Sequence, residues 1–282
     1  MVGISRQCYY RSFWRSEEKK AKAEKVLSLV SGVRSHMSRI GTRKLHYLLH
    51  EDLKELHIGR DKLFAVLKAN NLLIKPKRNY RITTDSHHRF RKHKNLIADI
   101  LIERPEQVWV SDITYIGGRN RNCYLALVTD AYSKKIMGYD LSNSLATEGS
   151  LRALEMAVKQ RKYNDKLIHH SDRGLQYCSN DYQEILENKK IIPSMTESYD
   201  PYANAVAERV NGILKQEFLL EDYQVDIKTM SLLVEDAVRI YNTKRPHYSC
   251  YMKTPEEMHK QMIIKIKTYK KVDSCPASRA AI

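Results

Sequence analysis

Hydrophobic and polar positions along this chain follow two different periods. Up to about Asn71 the period is helical. Lys19 to Val33 runs from charged to apolar, and Thr42 to Leu53 sets Leu45, Leu48 and Leu49 at helical spacing. After a turn at His57-Ile58-Gly59, Leu63, Val66 and Leu67 share one face. The pattern predicts short helices, the last two forming a helix-turn-helix with Arg60, Lys62 and Lys68 on its second member. A helical hairpin that only packs against the rest of the chain would read the same way. Lys75-Pro76-Lys77-Arg78-Asn79-Tyr80-Arg81 ends this region, because proline lacks an N–H and disfavours helix in the residue before it.

From Gln107 the period shortens to two. Strand-like runs cover Val108 to Ile116, Cys123 to Thr129 and Lys135 to Leu141, joined by connectors short enough for antiparallel hairpins. A helix is predicted over Thr147 to Gln160, then a strand from Leu167 that ends at Asp172. Ser179 or Asn180 caps a helix through Glu187, and Ile191-Ile192-Pro193-Ser194 reads as an edge strand, where proline is tolerated. A helical segment spans Ala203 to Glu217. The fold class that follows is α/β: a mixed five-stranded sheet flanked by helices, behind a small all-α N-terminal region. The expected divisions are a helix-turn-helix region at 1–74, a basic linker at 75–104, a core with C-terminal helices at 105–265 and a tail at 266–282.

Charge sharpens this division. The 282 residues carry a net charge of +16. Met1 to Lys94 holds 23 Lys+Arg against 8 Asp+Glu, while Asn95 to Ile282 holds 26 against 25. A basic arm beside a near-neutral domain points to a polyanionic partner, DNA above all. In the linker, Lys77, Arg78 and Arg81 would track phosphates, with Tyr80 and Phe90 available for stacking. Five cysteines without a CxxC pair argue for a reducing compartment and against a disulfide frame or thiolate zinc site. His87, His88 and His93 lack zinc-site spacing. No apolar run approaches the ~18 residues of a membrane span, and Arg6, Arg11, Arg15 and Glu17 interrupt any signal-peptide core. The expected location is the cytoplasm, with no membrane partner.

Three acidic residues carry the candidate chemistry. Asp112 lies in the first strand, Asp172 ends the fourth, and Glu208 sits in the last predicted helix. Fifty-nine residues separate the first two and thirty-five the second pair. At 3.6 residues per turn, Asn204, Glu208, Asn211 and Lys215 fall on one polar stripe, and Val206, Val210, Ile213 and Leu214 on an apolar one. An amphipathic helix with a solvent-facing glutamate has the same periodicity. Two strand aspartates and a helix glutamate can instead converge on a divalent metal pair of the kind used in phosphoryl transfer.

The combination resembles a known family. Val108-Trp109-Val110-Ser111-Asp112-Ile113-Thr114-Tyr115, His170-Ser171-Asp172-Arg173-Gly174 and Asp200-Pro201-Tyr202-x-Asn204-Ala205-x-x-Glu208, with Lys215 seven residues later, resemble the DDE core of bacterial insertion-sequence transposases. More narrowly they are similar to the catalytic second-frame protein of two-frame elements, which is related to retroviral integrases. Ile4 to Tyr10, Arg39 to Leu45, Tyr241-Asn242-Thr243-Lys244-Arg245-Pro246-His247 and Thr254-Pro255-Glu256-Glu257 extend the likeness over essentially the whole chain. Ala203 and Asp200 depart from the pattern, since many relatives have an acidic residue and an asparagine there.

The resemblance implies a ribonuclease H-like core in which Asp112, Asp172 and Glu208 are both catalytic residues and ligands of two Mg²⁺ (or Mn²⁺) ions, ~3.5–4 Å apart. It implies hydrolysis at an element end, attack of the freed 3′-hydroxyl on a second phosphodiester, and a circular intermediate before insertion. No nucleotide cofactor is needed. Lys215 would contact a phosphate near the terminal base pairs, with a surface ion pair as the other reading. His170 would help order the site or simply pack, and Asn204 would stabilise its loop or touch DNA. Arg245 and His247 would fix the C-terminal helix or contact DNA. The implied partners are terminal inverted repeats and target DNA, further copies of the chain, and a first-frame protein of the same element, all in the bacterial cytoplasm at the nucleoid. Two other classes fit the same residues: a catalytically silent DNA-binding derivative, and a nuclease that cuts without joining.

Overall fold

The computed structural model describes residues 3, 5–75, 93–98, 100–117, 123–196 and 205–261. Lys77, Arg78, Arg81, Asn204 and the tail from 266 lie outside them. The chain opens with α1, Arg6–Arg34, one helix of 29 residues where the hydrophobic pattern predicts only a shorter one from Lys19. The Ser5 hydroxyl accepts the Cys8 N–H at its start. Ion pairs Glu17–Lys20 and Glu18–Lys22, at 2.8 and 2.7 Å, fall at helical spacing along it. Only Val26 and Val30 are buried, so its first turns expose Tyr9, Tyr10, Phe13 and Trp14. The helix expected over Thr42 to Leu53 is divided at Leu49 into α2, Thr42–Leu48, and α3, His50–Glu55. α4, Arg60–Ala69, buries Leu63 and Leu67 as their spacing predicts.

The sheet is built from β1 (Val108–Ile116), β2 (Cys123–Asp130), β3 (Ile136–Ser142), β4 (Leu167–Ser171) and β5 (Ile191–Met195), in the order β3-β2-β1-β4-β5. β1, β2 and β3 pair antiparallel, whereas β4 and β5 run parallel to β1. Parallel neighbours need crossover connections. These are α5, Thr147–Gln160, between β3 and β4, and α6, Leu175–Cys178, with α7, Asn180–Asn188, between β4 and β5. Pro193 sits in β5, an edge strand. This order and polarity is the ribonuclease H-like arrangement.

Trp109, Leu154, Tyr177, Tyr182 and their neighbours fill the core between the sheet and α5, α6 and α7. The other face is covered by α8, Ala205–Gln216, and α9, Ile227–Thr243. There Ile116, Leu125 and Leu127 join Val210, Leu214, Val238 and Tyr241 in a core that continues into Val26, Leu45, Leu53 and Leu63 of the N-terminal helices. The described end of the linker lies along β5, where Leu96 N–H donates to Ser194 Oγ (2.9 Å) and Met195 N–H to the Lys94 carbonyl (3.3 Å). A last short helix, α10 (Pro255–His259), starts with a capping box made by Thr254 and Glu257.

Candidate active site

Asp112 and Asp172 come from neighbouring parallel strands. Ser111 of β1 is in register with Ser171 of β4, so the two aspartates are the next residues along on each side. Adjacent strands lie about 4.8 Å apart, which makes these carboxylates neighbours at the same end of the sheet. Each is held by nearby N–H groups. Ile113 N–H donates to Asp112 Oδ1 at 2.9 Å, and Gly174 N–H donates to Asp172 Oδ1 at 3.0 Å in a tight side-chain turn. A methyl group at Gly174 would stand 2.9 Å from that same Oδ1.

Asp112 has a second donor. The Asn211 side-chain amide, on α8, donates to Asp112 Oδ2 at 2.7 Å. Burial and the Asp172 charge, with a smaller push from Glu208, raise the Asp112 carboxyl to about 7 against the opposing N–H groups of Ile113 and Asn211. Tyr177 of α6 is buried close by. Its phenol is held well above its ordinary pKa by burial first, then by Tyr182 and the two aspartates.

Glu208 is exposed on α8. It stands one turn from Asn211, on the stripe that the Asn211–Asp112 bond turns toward the site. Asp172 acts on Asp112 more strongly than Glu208 does. Among the described residues, no three His, Cys, Asp or Glu side chains are gathered closely enough to enclose a metal ion. The aspartates thus form a pair, with Glu208 near enough for its charge to be felt.

The other candidates are distributed more widely. Lys215 is half-buried at the far end of the same α8 stripe. His170 is fully buried, its Nδ1 2.9 Å from Ser194 Oγ, and so ties β4 to β5. Arg60 and Lys62 are exposed on α4, where Arg60 pairs with Asp61 and the Lys62 ammonium meets the His57 carbonyl. Asn211 and Tyr177 are contributors the sequence reading passed over. Asn211 lies on the predicted polar stripe, three residues after Glu208. Tyr177 is five residues after Asp172, on a helix of four residues that periodicity does not reveal.

Models of the integrase core domain match residues 102–201 and 189–255, the first spanning Asp112 and Asp172 and the second Glu208. The insertion element IS600 31 kDa protein of Shigella sonnei is 34% identical over 253 residues, covering 88% of this chain and 92% of the relative. The chain belongs to the insertion-sequence transposases with an integrase core. The transposase InsF of IS3fB from Escherichia coli is 31% identical over 199 residues, which is 70% of this transposase and 69% of InsF. Among solved structures, the magnesium complex of the HTLV-2 integrase catalytic core is similar at a TM-score of 0.45 and 19% identity, over 55% of this chain and 97% of that one. No helix among the described residues is long and apolar enough to cross a membrane.

Proposed function

We propose that this transposase cleaves DNA at the ends of an insertion sequence and joins the resulting 3′-hydroxyl to a second phosphodiester, with Asp112, Asp172 and Glu208 as the catalytic, metal-holding residues. The observation that carries this reading is the adjacency of Asp112 and Asp172 on parallel strands, with Glu208 acting on the same carboxyl. The donor set fits a divalent cation. Carboxylate oxygens are hard ligands suited to Mg²⁺ or Mn²⁺, and burial first, then the charges of Asp172 and Glu208, push the Asp112 carboxyl up to about 7, so a cation beside it would be favoured. A bound cation pair would supply the charge that activates an attacking oxygen and stabilises a leaving one.

The residues of the chain do the positioning. Asn211 and the Ile113 N–H each occupy one oxygen of Asp112, which fixes the carboxylate plane. Gly174 leaves room for Asp172 to fold onto its own backbone. Glu208, exposed on α8 one turn from Asn211, would complete the set from the same face of the helix. Lys215, two turns along the stripe, offers an ammonium to a phosphate near the end being cut. Arg60 and Lys62, exposed on α4, are proposed to bind duplex DNA, as are Lys77, Arg78, Arg81 and Asn204, which lie outside the described residues. Joining two ends calls for at least two copies of the chain, and a first-frame protein of the same element is the expected further partner.

The test is a strand-transfer assay with labelled end DNA in Mg²⁺. Asp112→Asn, Asp172→Asn and Glu208→Gln should each abolish both cleavage and joining while end binding persists. Joining that survives any one of them would remove that residue from the site. A wild-type chain that binds end DNA but neither cleaves nor joins it would be a DNA-binding derivative.

A further inference from the structure

We propose that a second, basic cleft on α8 binds a phosphate group of the DNA strand engaged at the carboxylate site. It has a volume of about 360 Å³ and lies between α8, α2 and the turn after α9, lined by Lys44, Lys134, Arg209, Arg245 and His247. No carboxylate among the described residues lines it. Glu217 takes both Lys44 (2.9 Å) and the Arg245 fork (2.8 Å at each contact), and the Asp130 charge acts on Lys134. Four cations therefore line the cleft, with Glu217 and Asp130 acting on them from outside its wall.

Two nitrogens point to a missing ligand. Arg245 is 2% exposed and His247 7% exposed, yet Arg245 Nη1 and His247 Nε2 are buried without a hydrogen-bond partner among the described residues. Buried donors are nearly always satisfied, and here two orphans line the same cleft. Ser249 Oγ lies 2.9 Å from His247 Nδ1. When that hydroxyl donates to Nδ1, the ring proton is on Nε2, which is then a donor. The surroundings also need negative charge. Burial and Arg245 bring Lys44 down to about 8, and burial with Arg245, Lys44, Lys134 and Arg209 holds His247 at about 3. A guanidinium edge, an imidazole N–H and flanking ammonium groups match the oxygens of a phosphate.

Position selects the source of that phosphate. Ala205, Val206, Arg209, Val210 and Ile213 form the α8 stripe that lines the cleft, beside the stripe of Glu208, Asn211 and Lys215. Successive helix residues point about 100° apart, so Glu208 and Arg209 face the two sites from one turn. A strand crossing α8 can reach the carboxylates and the cleft together. The identity of the anion as DNA rests on the strand-transfer reading; the existence of an anion site does not.

The experiment uses the full chain with inorganic phosphate as probe, followed by imidazole resonances. Phosphate should move the His247 signals saturably in wild type, and far less in an Arg209→Gln/Lys134→Gln variant with unchanged thermal midpoint. Arg209→Lys should retain the response. In a second arm, the salt dependence of end-DNA binding should become shallower by about 0.9 for one lost phosphate contact in Arg209→Gln. His247 signals that ignore phosphate would overturn the anion site. A phosphate response with an unchanged DNA salt slope would assign the cleft to a free anion and overturn its link to DNA. Neither arm needs catalysis, so an inactive Asp112→Asn protein should pass both.

Discussion

Asn211 is 5% exposed, and its amide donates to Asp112 Oδ2. Deleting that donor leaves a buried carboxylate with one fewer N–H and two like charges facing it, which both reorients Asp112 and raises its proton affinity further. Asn211→Leu, similar in volume, should therefore slow single-turnover strand transfer roughly tenfold, equivalent to about 1.4 kcal/mol, with little change in end binding. Asn211→Asp, which adds a third carboxylate against Asp112, should be worse. An unchanged rate in the leucine variant would reduce Asn211 to a packing residue. The three acidic residues are legible as candidates from their motifs, because each sits in a distinctive string of neighbours. Asn211 was legible only as a member of a polar stripe. A stripe cannot say which of its residues faces water and which turns inward to a partner 99 positions away.

At the scale of elements, the strands and α5 follow closely from pattern, because a two-sided sheet imposes strict alternation or continuous apolar runs on the sequence. The departures have local reasons. α1 extends past its apolar stretch on Glu–Lys pairs and the absence of proline, features that carry no hydrophobic period. The break at Leu49 has no glycine or proline to announce it, and α6 is a single turn. Gly138 carries information that pattern reading does not weigh. A Cβ there would stand 2.0 Å from the Ala153 carbonyl oxygen and 2.7 Å from the Ala157 nitrogen, both backbone atoms of α5. The helix cannot yield by rotating a side chain. Gly138→Ala should force α5 off β3 and lower unfolding free energy by about 1–3 kcal/mol or more, read by urea denaturation. Retained stability would mean that α5 is not seated on the sheet as closely as described.

Over the whole molecule, charged residues far apart in sequence lash the ends of the chain to its middle, and no local pattern reveals them. Glu217 joins α2 to the end of α9 through Lys44 and Arg245. Glu106, which opens the sheet region, meets His259 of α10 at 3.2 Å across 153 positions. Asp130 accepts the Glu106 N–H, and Ser133 bridges Asp130 to the other imidazole nitrogen. Burial disfavours charge on His259, but the carboxylates of Asp130, 3.6 Å from Nδ1, and of Glu106, 3.2 Å from Nε2, outweigh it and raise the imidazole above its ordinary 6.5. Burial likewise works against ionised Glu106, yet His259 and the Lys162 and Tyr163 N–H groups hold its carboxyl below 4.5. The folded chain thus holds the His259 proton more tightly than the unfolded chain does. That contribution is complete below pH 6.5 and is lost as pH rises through the raised value. The Glu106 contribution has the opposite sense, present above 4.5 and lost as pH falls through its lowered value. The tie should be strongest between those limits. Lys44 titrates in the alkaline range with a slope of its own, so the useful quantity is the stability difference between wild type and His259→Gln, in which Lys44 cancels. That difference, measured by urea denaturation at a series of pH values, should be largest in mildly acidic solution and shrink above 6.5. In Glu106→Gln the imidazolium loses one charged partner, so the difference should be smaller in acid and its decline, still beginning near 6.5, should end at lower pH. A difference that stays flat from mildly acidic to alkaline pH would show that His259 is neutral in the folded protein, and that its hold on α10 is an uncharged hydrogen bond.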